Sequence, residues 1–143
     1  ISNCKKAIEK YIPTNNRSQL EISNNGNTLI LDAYNANPSS MRVAIESLQQ
    51  MNASNKTVIL GEMLELGNDS LKEHQEIVEL LRESNFQRVF LVGEEFQKTT
   101  KYFSSFANTN ELNNWLKSNP ITESTILLKG SRGIRLEELK ARL

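Results

Sequence analysis

Four short apolar runs decide most of what this chain can become: Leu29-Ile30-Leu31, Val58-Ile59-Leu60, Val89-Phe90-Leu91-Val92 and Ile126-Leu127-Leu128. None contains a polar residue, the pattern of strands covered on both faces rather than strands with a wet side. A helical pattern follows each of them. Strands and helices alternating in this way predict βαβ units and a mainly parallel sheet with helices on its faces.

The stretch 28–51 shows the unit most clearly. Its apolar run stops at Asp32, and a polar loop with Tyr34, Asn35 and Asn37 follows. Met41, Ala44, Ile45 and Leu48 then recur at i, i+3, i+4, i+7, one buried helical face. Asn37 suits the N-cap and Pro38 the first helical position, where no N–H is needed. The same reading predicts strands at 57–60, 88–92, 102–106 and 125–128, and helices at 70–83, 94–100, 109–118 and from the last strand to the end. Ser70-Leu71-Lys72-Glu73 has the form of a capping box, and Asn108 with Glu111 is a second. Upstream, residues 19–23 alternate as an edge strand does, and Asn24-Asn25-Gly26-Asn27 is a turn that sets them antiparallel to 28–32.

Residues 4–12 place Cys4, Ala7, Ile8, Tyr11 and Ile12 on one helical stripe, ended by Pro13. A polar linker, 14–18, carries Arg17. A short helix with one apolar face needs a cover: either this is the tail of a preceding domain, or it packs on the domain that follows.

Composition excludes some roles. Seventeen basic residues balance seventeen acidic ones, so no global field favours nucleic acid or an anionic membrane surface. No apolar run approaches the ~18 residues of a membrane span, and the first residues do not read as a secretory signal. The single cysteine allows no internal disulfide and suits a reducing compartment. With 143 residues, about two thirds of the unfolded surface can be buried.

Chemistry is expected at one edge. Four runs lead into polar or glycine-bearing turns: Asp32 to Pro38, Gly61 to Gly67, Gly93 to Glu95 and Lys129 to Arg132. In a parallel sheet these ends share the edge where open α/β sheets bind ligands. Asp32, Asn35, Asn37, Glu62, Glu65, Lys129, Ser131 and Arg132 should therefore converge. A strand-end carboxylate such as Asp32 can accept both hydroxyls of a ribose, or it can cap a loop amide. Lys129, Ser131 and Arg132 make an anion site or a solvated charge cluster. Glu62 and Glu65 could hold Mg²⁺ or orient an amine, or lie exposed, the preferred reading for Glu65. His74 falls in register with Ile77, Val78 and Leu81, so a core or loop-pinning role is preferred over a catalytic base. Tyr34 reads as packing.

The stretches DAYNANPSSM (32–41), LGEMLELGNDSLKEH (60–74) and LKGSRG (128–133) resemble the C-terminal domain of the Mur ligases, over about residues 15–143. The resemblance implies a Rossmann-like three-layer α/β fold, mainly parallel with one antiparallel edge strand. It divides the chain into a tail and linker from a central ATP-binding domain, 1–16, and the C-terminal domain, 17–143. It implies nucleotide contacts by Asp32 on the ribose, Asn35 on the terminal phosphate and Arg17 from the linker. It implies substrate contacts by Asn37, Lys129, Ser131 and Arg132, and no catalytic residue in this stretch. ATP and Mg²⁺ would be held mainly by the central domain, in keeping with the lack here of a G-x-x-x-x-G-K-[ST] loop. The implied reaction is ligation of D-alanyl-D-alanine to UDP-N-acetylmuramoyl-tripeptide in the bacterial cytoplasm, with the upstream domains as partners and no nucleic acid or membrane insertion. Read without the family, the same pattern also fits a non-catalytic α/β module that binds a nucleotide or a protein. Asp32 and Lys129 also mimic a phospho-receiver superficially, without its further acids.

Overall fold

The computed structural model describes residues 19–32, 36–99 and 101–143. The stripe at 4–12, Cys4, Arg17, Tyr34 and Asn35 lie outside them, as does the proposed division near residue 16. The chain runs β1 (Gln19–Ile22), β2 (Thr28–Asp32), α1 (Pro38–Gln50), β3 (Lys56–Gly61), α2 (Ser70–Arg82), β4 (Arg88–Val92), α3 (Glu94–Gln97), β5 (Ser104–Phe106), α4 (Thr109–Ser118) and β6 (Thr125–Lys129). The strands form one sheet in the order β1-β2-β6-β3-β4-β5. Only the β1–β2 pair is antiparallel, with Gln19 opposite Leu31 and Ile22 opposite Thr28. The other pairings are parallel.

The two-residue period of the strands sorts their apolar side chains onto two faces. Ile30, Leu127, Val58 and Val89 are linked in register across the sheet. They join Met41, Ala44, Ile45 and Leu48 of α1 and Ile77, Val78 and Leu81 of α2 in one core. The alternate row, Leu31, Leu128, Ile59 and Phe90, packs with Leu112 and Leu116 of α4 and with Leu136, Leu139 and Leu143 in a second core. The sheet is thus the middle of three layers. Its unbroken apolar runs follow from that, because each strand faces a core on both sides.

Topology explains the sorting. From β2 to β5 the chain advances in one direction, and right-handed crossovers keep α1 to α3 on one face. The return to β6, between β2 and β3, places α4 on the other.

Helix starts follow the sequence in part. Asn37 Oδ1 accepts the Ser40 N–H at 2.8 Å and Ser40 Oγ accepts the Asn37 N–H at 3.1 Å, a reciprocal cap for α1. Asn108 Oδ1 accepts the Glu111 N–H at 2.9 Å. Ser70, however, does not cap α2: a 3₁₀ turn, Gly67–Asp69, runs into the helix and no side chain caps it. The expected helix at 94–100 stops at Gln97, and the expected strand at 102–106 begins only at Ser104. After β6 there are two 3₁₀ segments, Arg132–Ile134 and Leu136–Arg142, instead of an α-helix. Arg135 between them is left-handed, with φ of 62°, which interrupts any α-helical ladder.

Asn27 was legible only as a turn residue. It is fully buried: its Nδ2 donates to the Ile121 and Leu143 carbonyls, each at 2.7 Å, and its Oδ1 accepts the Ser124 N–H at 2.9 Å. It ties the β1–β2 hairpin to the segment before β6 and to Leu143.

Candidate functional site

Helices after β2 and β3 lie on one face of the sheet, while the chain after β6 turns to the other. β6 is therefore flanked on both sides by strands whose continuations diverge from its own. Crevices at the carboxyl ends of such strands are where α/β sheets take ligands. The two sides of β6 are built differently.

Between β2 and β6 the rim carries an ion pair. Asp32 and Lys129 are ladder partners, two residues beyond Ile30 and Leu127 and so on the same face of the sheet. Neighbouring strands run about 4.8 Å apart, and Lys129 Nζ meets Asp32 Oδ2 at 2.7 Å. The lysine side chain is 3% exposed and the aspartate 14%, so the carboxylate is the member nearer solvent. Gln19 lies opposite Leu31, so the start of β1 stands next to this pair.

Between β6 and β3 the rim is closed. Gly61 and Gly130 let the two strand ends touch backbone to backbone: a Cβ on Gly130 would lie 2.8 Å from the Gly61 Cα. Ser131 is 7% exposed; its Oγ accepts the Leu64 N–H at 3.0 Å, and its own N–H donates to the Glu62 carbonyl at 3.3 Å. The expected close approach at these glycines is thus made by the protein's own backbone.

The loop after β3 is also fastened from α2 and α3. The Met63 N–H donates to His74 Nε2 at 2.9 Å, and His74 Nδ1 lies 2.7 Å from the Ser70 carbonyl. A carbonyl can only accept and Nε2 already accepts, so the ring is the neutral Nδ1–H tautomer. His74 is fully buried and meets the Phe96 ring edge-on, centroids 4.6 Å apart. It pins the loop, as the sequence favoured, and does not face a substrate as a base. Glu62 Oε2 accepts the Glu95 N–H at 2.9 Å, an acid at the start of α3. It lies over Gly93, whose φ of 122° and missing Cβ make room for it. Ser70 Oγ donates to Glu95 Oε2 at 2.7 Å. That hydroxyl, and then Lys98 at 2.9 Å, hold the Glu95 carboxyl below its ordinary value; the same bond raises Lys98.

The sequence-predicted residues therefore divide. Asp32, Lys129 and Ser131 come together along β6, with Glu62 linked through Ser131. Asn37 is exposed, and its side-chain oxygen caps α1. Arg132 is exposed on the turn after β6, and Glu65 is exposed with φ of 63°. Arg17 and Asn35 lie outside the described residues. Among the described residues no three of His, Cys, Asp and Glu gather as metal ligands. The Ser70–Glu95 bond has no signal in the sequence, because a serine heading a helix reads first as a cap. The Asp32–Lys129 pair had half a signal: both residues stand immediately after an apolar run, but only the fold makes their strands neighbours.

A mainly parallel sheet covered on both faces, with a compensated acid at its strand-order reversal, defines a doubly wound α/β domain. A family model described as "Mur ligase, glutamate ligase domain" matches residues 16–132, and the chain belongs to that family. It is 40% identical over 119 residues to the UDP-N-acetylmuramoyl-tripeptide–D-alanyl-D-alanine ligase of Rickettsia prowazekii, covering 78% of this chain and 26% of that protein. The Bacillus subtilis ligase of the same name is 32% identical over 144 residues, covering 94% of this chain and 32% of its own. Among solved structures, MurF of Acinetobacter baumannii superposes with a TM-score of 0.69 at 29% identity, over 91% of this chain and 30% of that one. The MurF ligase of Thermotoga maritima, solved with ADP, shares the fold with a TM-score of 0.71 at 23% identity, over 88% and 30%. The chain thus spans about a third or less of the proteins it matches.

Proposed function

We propose that this chain is the C-terminal domain of an ATP-dependent ligase that joins D-alanyl-D-alanine to UDP-N-acetylmuramoyl-tripeptide in the bacterial cytoplasm. In the whole enzyme, ATP would activate the tripeptide's terminal carboxylate as an acyl phosphate. The dipeptide amine would then attack it, forming the C–N bond and releasing phosphate. The domain's part is positioning. It brings nucleoside and dipeptide contacts over phosphates held by the upstream domains, and excludes water from a hydrolysable intermediate.

What carries the reading is the Asp32 carboxylate at the strand-order reversal, held in place but still 14% exposed. Its geometry suits a ribose. Arg17 and Asn35 are assigned to the nucleotide's phosphates. The α1 cap residue Asn37 and, on the turn after β6, Ser131 and Arg132 are assigned to the dipeptide side, while Lys129, which the family resemblance also puts there, is bonded to Asp32. The shared name of the relatives supports the substrates, and the ADP complex of a fold neighbour supports the nucleotide. No helix among the described residues is long and apolar enough to cross a membrane.

The test is ligation by the full-length protein. ATP cleavage should depend on both the UDP-linked tripeptide and D-alanyl-D-alanine, and Asp32→Ala should raise the KM for ATP about tenfold or more, the loss of a hydrogen bond to a charged group. Unchanged ATP kinetics in that variant would remove the ribose assignment.

A further inference from the structure

We infer that Lys129 is a positioning residue for nucleoside recognition, acting through Asp32 rather than on the dipeptide; this rests on the ribose reading above. Its ammonium bonds Asp32 Oδ2 at 2.7 Å and its side chain is 3% exposed, against 14% for Asp32. The ammonium thus lies behind the carboxylate, so a ligand at this rim meets Asp32 first.

The pair has two consequences for a ligand. Oδ2 is held by the ammonium, which fixes the carboxylate's orientation and leaves Oδ1 to accept from a hydroxyl. The lysine also cancels the carboxylate's charge. An uncompensated carboxylate would repel the triphosphate of the same nucleotide or recruit a cation. A compensated one presents acceptor oxygens with little net field, which suits a neutral vicinal diol. The ladder enforces the pairing, since Asp32 and Lys129 are directly opposed and share a sheet face with Ile30 and Leu127, both fully buried.

The experiment compares kcat/KM for ATP and for 2′,3′-dideoxyATP in the full-length protein, in the parent, Asp32→Asn, Lys129→Met and the double variant. The parent should prefer ATP about tenfold or more, because a site built to bond hydroxyls rejects their absence. Both single variants should lose that preference, and the double should be no worse than either, as expected of coupled residues. The KM for D-alanyl-D-alanine should stay within about twofold in Lys129→Met, since a group that does not touch the dipeptide does not change its binding. The preference is a ratio measured on active molecules, so partial unfolding does not disturb it. The double variant, which has no lone buried charge, gives a second folded route. If Lys129→Met keeps the preference while Asp32→Asn loses it, the inference falls and the ribose reading stands. The inference also falls if Lys129→Met raises the dipeptide KM with the preference intact. If Asp32→Asn keeps the preference, the ribose reading fails and takes the inference with it.

Discussion

Replacing His74 by leucine keeps most of the apolar volume between α2, α3 and the loop after β3, but removes the nitrogen that accepts the Met63 N–H at 2.9 Å. Met63 is 1% exposed, so water does not readily replace the lost acceptor. An orphaned buried donor costs about 1–3 kcal/mol. The edge-on contact with Phe96, centroids 4.6 Å apart, adds about 0.5–1.5 kcal/mol. The Ser70 carbonyl loses less, because it still has the helical N–H four residues on. The expected destabilisation is therefore about 2–4 kcal/mol, a large part of the usual 5–15 kcal/mol or so of a domain. That corresponds to a fall in Tm of about 6–12 °C for a chain of this size. Urea unfolding should show a lower midpoint at unchanged slope, and the Met63 amide should change from slow to fast hydrogen exchange. Nitrogen NMR of the parent should find the proton on Nδ1. A loss below about 1 kcal/mol, the size of an ordinary surface change, with the Met63 amide still protected, would refute the clasp.

Gly130→Ala should cost about 1–3 kcal/mol, because its Cβ would lie 2.8 Å from the Gly61 Cα and force the β3 and β6 ends apart, read as a lower urea midpoint. Thr57→Val should be neutral or stabilising by up to about 1 kcal/mol, because Thr57 Oγ1 is buried without a hydrogen-bond partner. A measured loss would reveal a partner for that hydroxyl. Glu95 has a lowered folded value through Ser70 and Lys98, so its stabilising contribution is present above the ordinary carboxylate value of 4.5 and disappears as pH falls through the folded value. The stability gap between the parent and Glu95→Gln should accordingly be full at neutral pH and shrink on acidification below 4.5.

The parts of this domain that depend on period were readable from its sequence. The unbroken runs Leu29-Ile30-Leu31 and its three counterparts marked strands covered on both faces, and Met41, Ala44, Ile45 and Leu48 marked the buried side of α1. Asn24 to Asn27 fixed the antiparallel edge. What stayed hidden depends on contacts between distant residues. Ser70 has the sequence of a cap, but a 3₁₀ turn before it and Glu95 beside it give its hydroxyl another partner. The C-terminal stretch has leucines at helical spacing, yet left-handed Arg135 lets Leu136, Leu139 and Leu143 reach the second core without an α-helix. Convergence at one edge followed from strand direction alone. Which of the convergent residues hold the protein itself could not follow from it, because that requires knowing that β6 inserts between β2 and β3.

That insertion has a mechanical consequence for the proposed function. The loop after β3 is tied to β6 through Ser131, to α2 through His74 and to α3 through Glu62. A loop fastened from three elements is not a lid in its own right, since releasing it means exposing several buried polar groups at once. The Asp32–Lys129 pair lies on the other side of β6, between β2 and β6, where no such fastening holds among the described residues. If the upstream domains proposed above join on the other side of β6, a domain held stiff in this way is suited to closing as a unit. Asp32 and Lys129 would then keep their mutual geometry throughout, and the preformed pair would meet the nucleoside without local rearrangement.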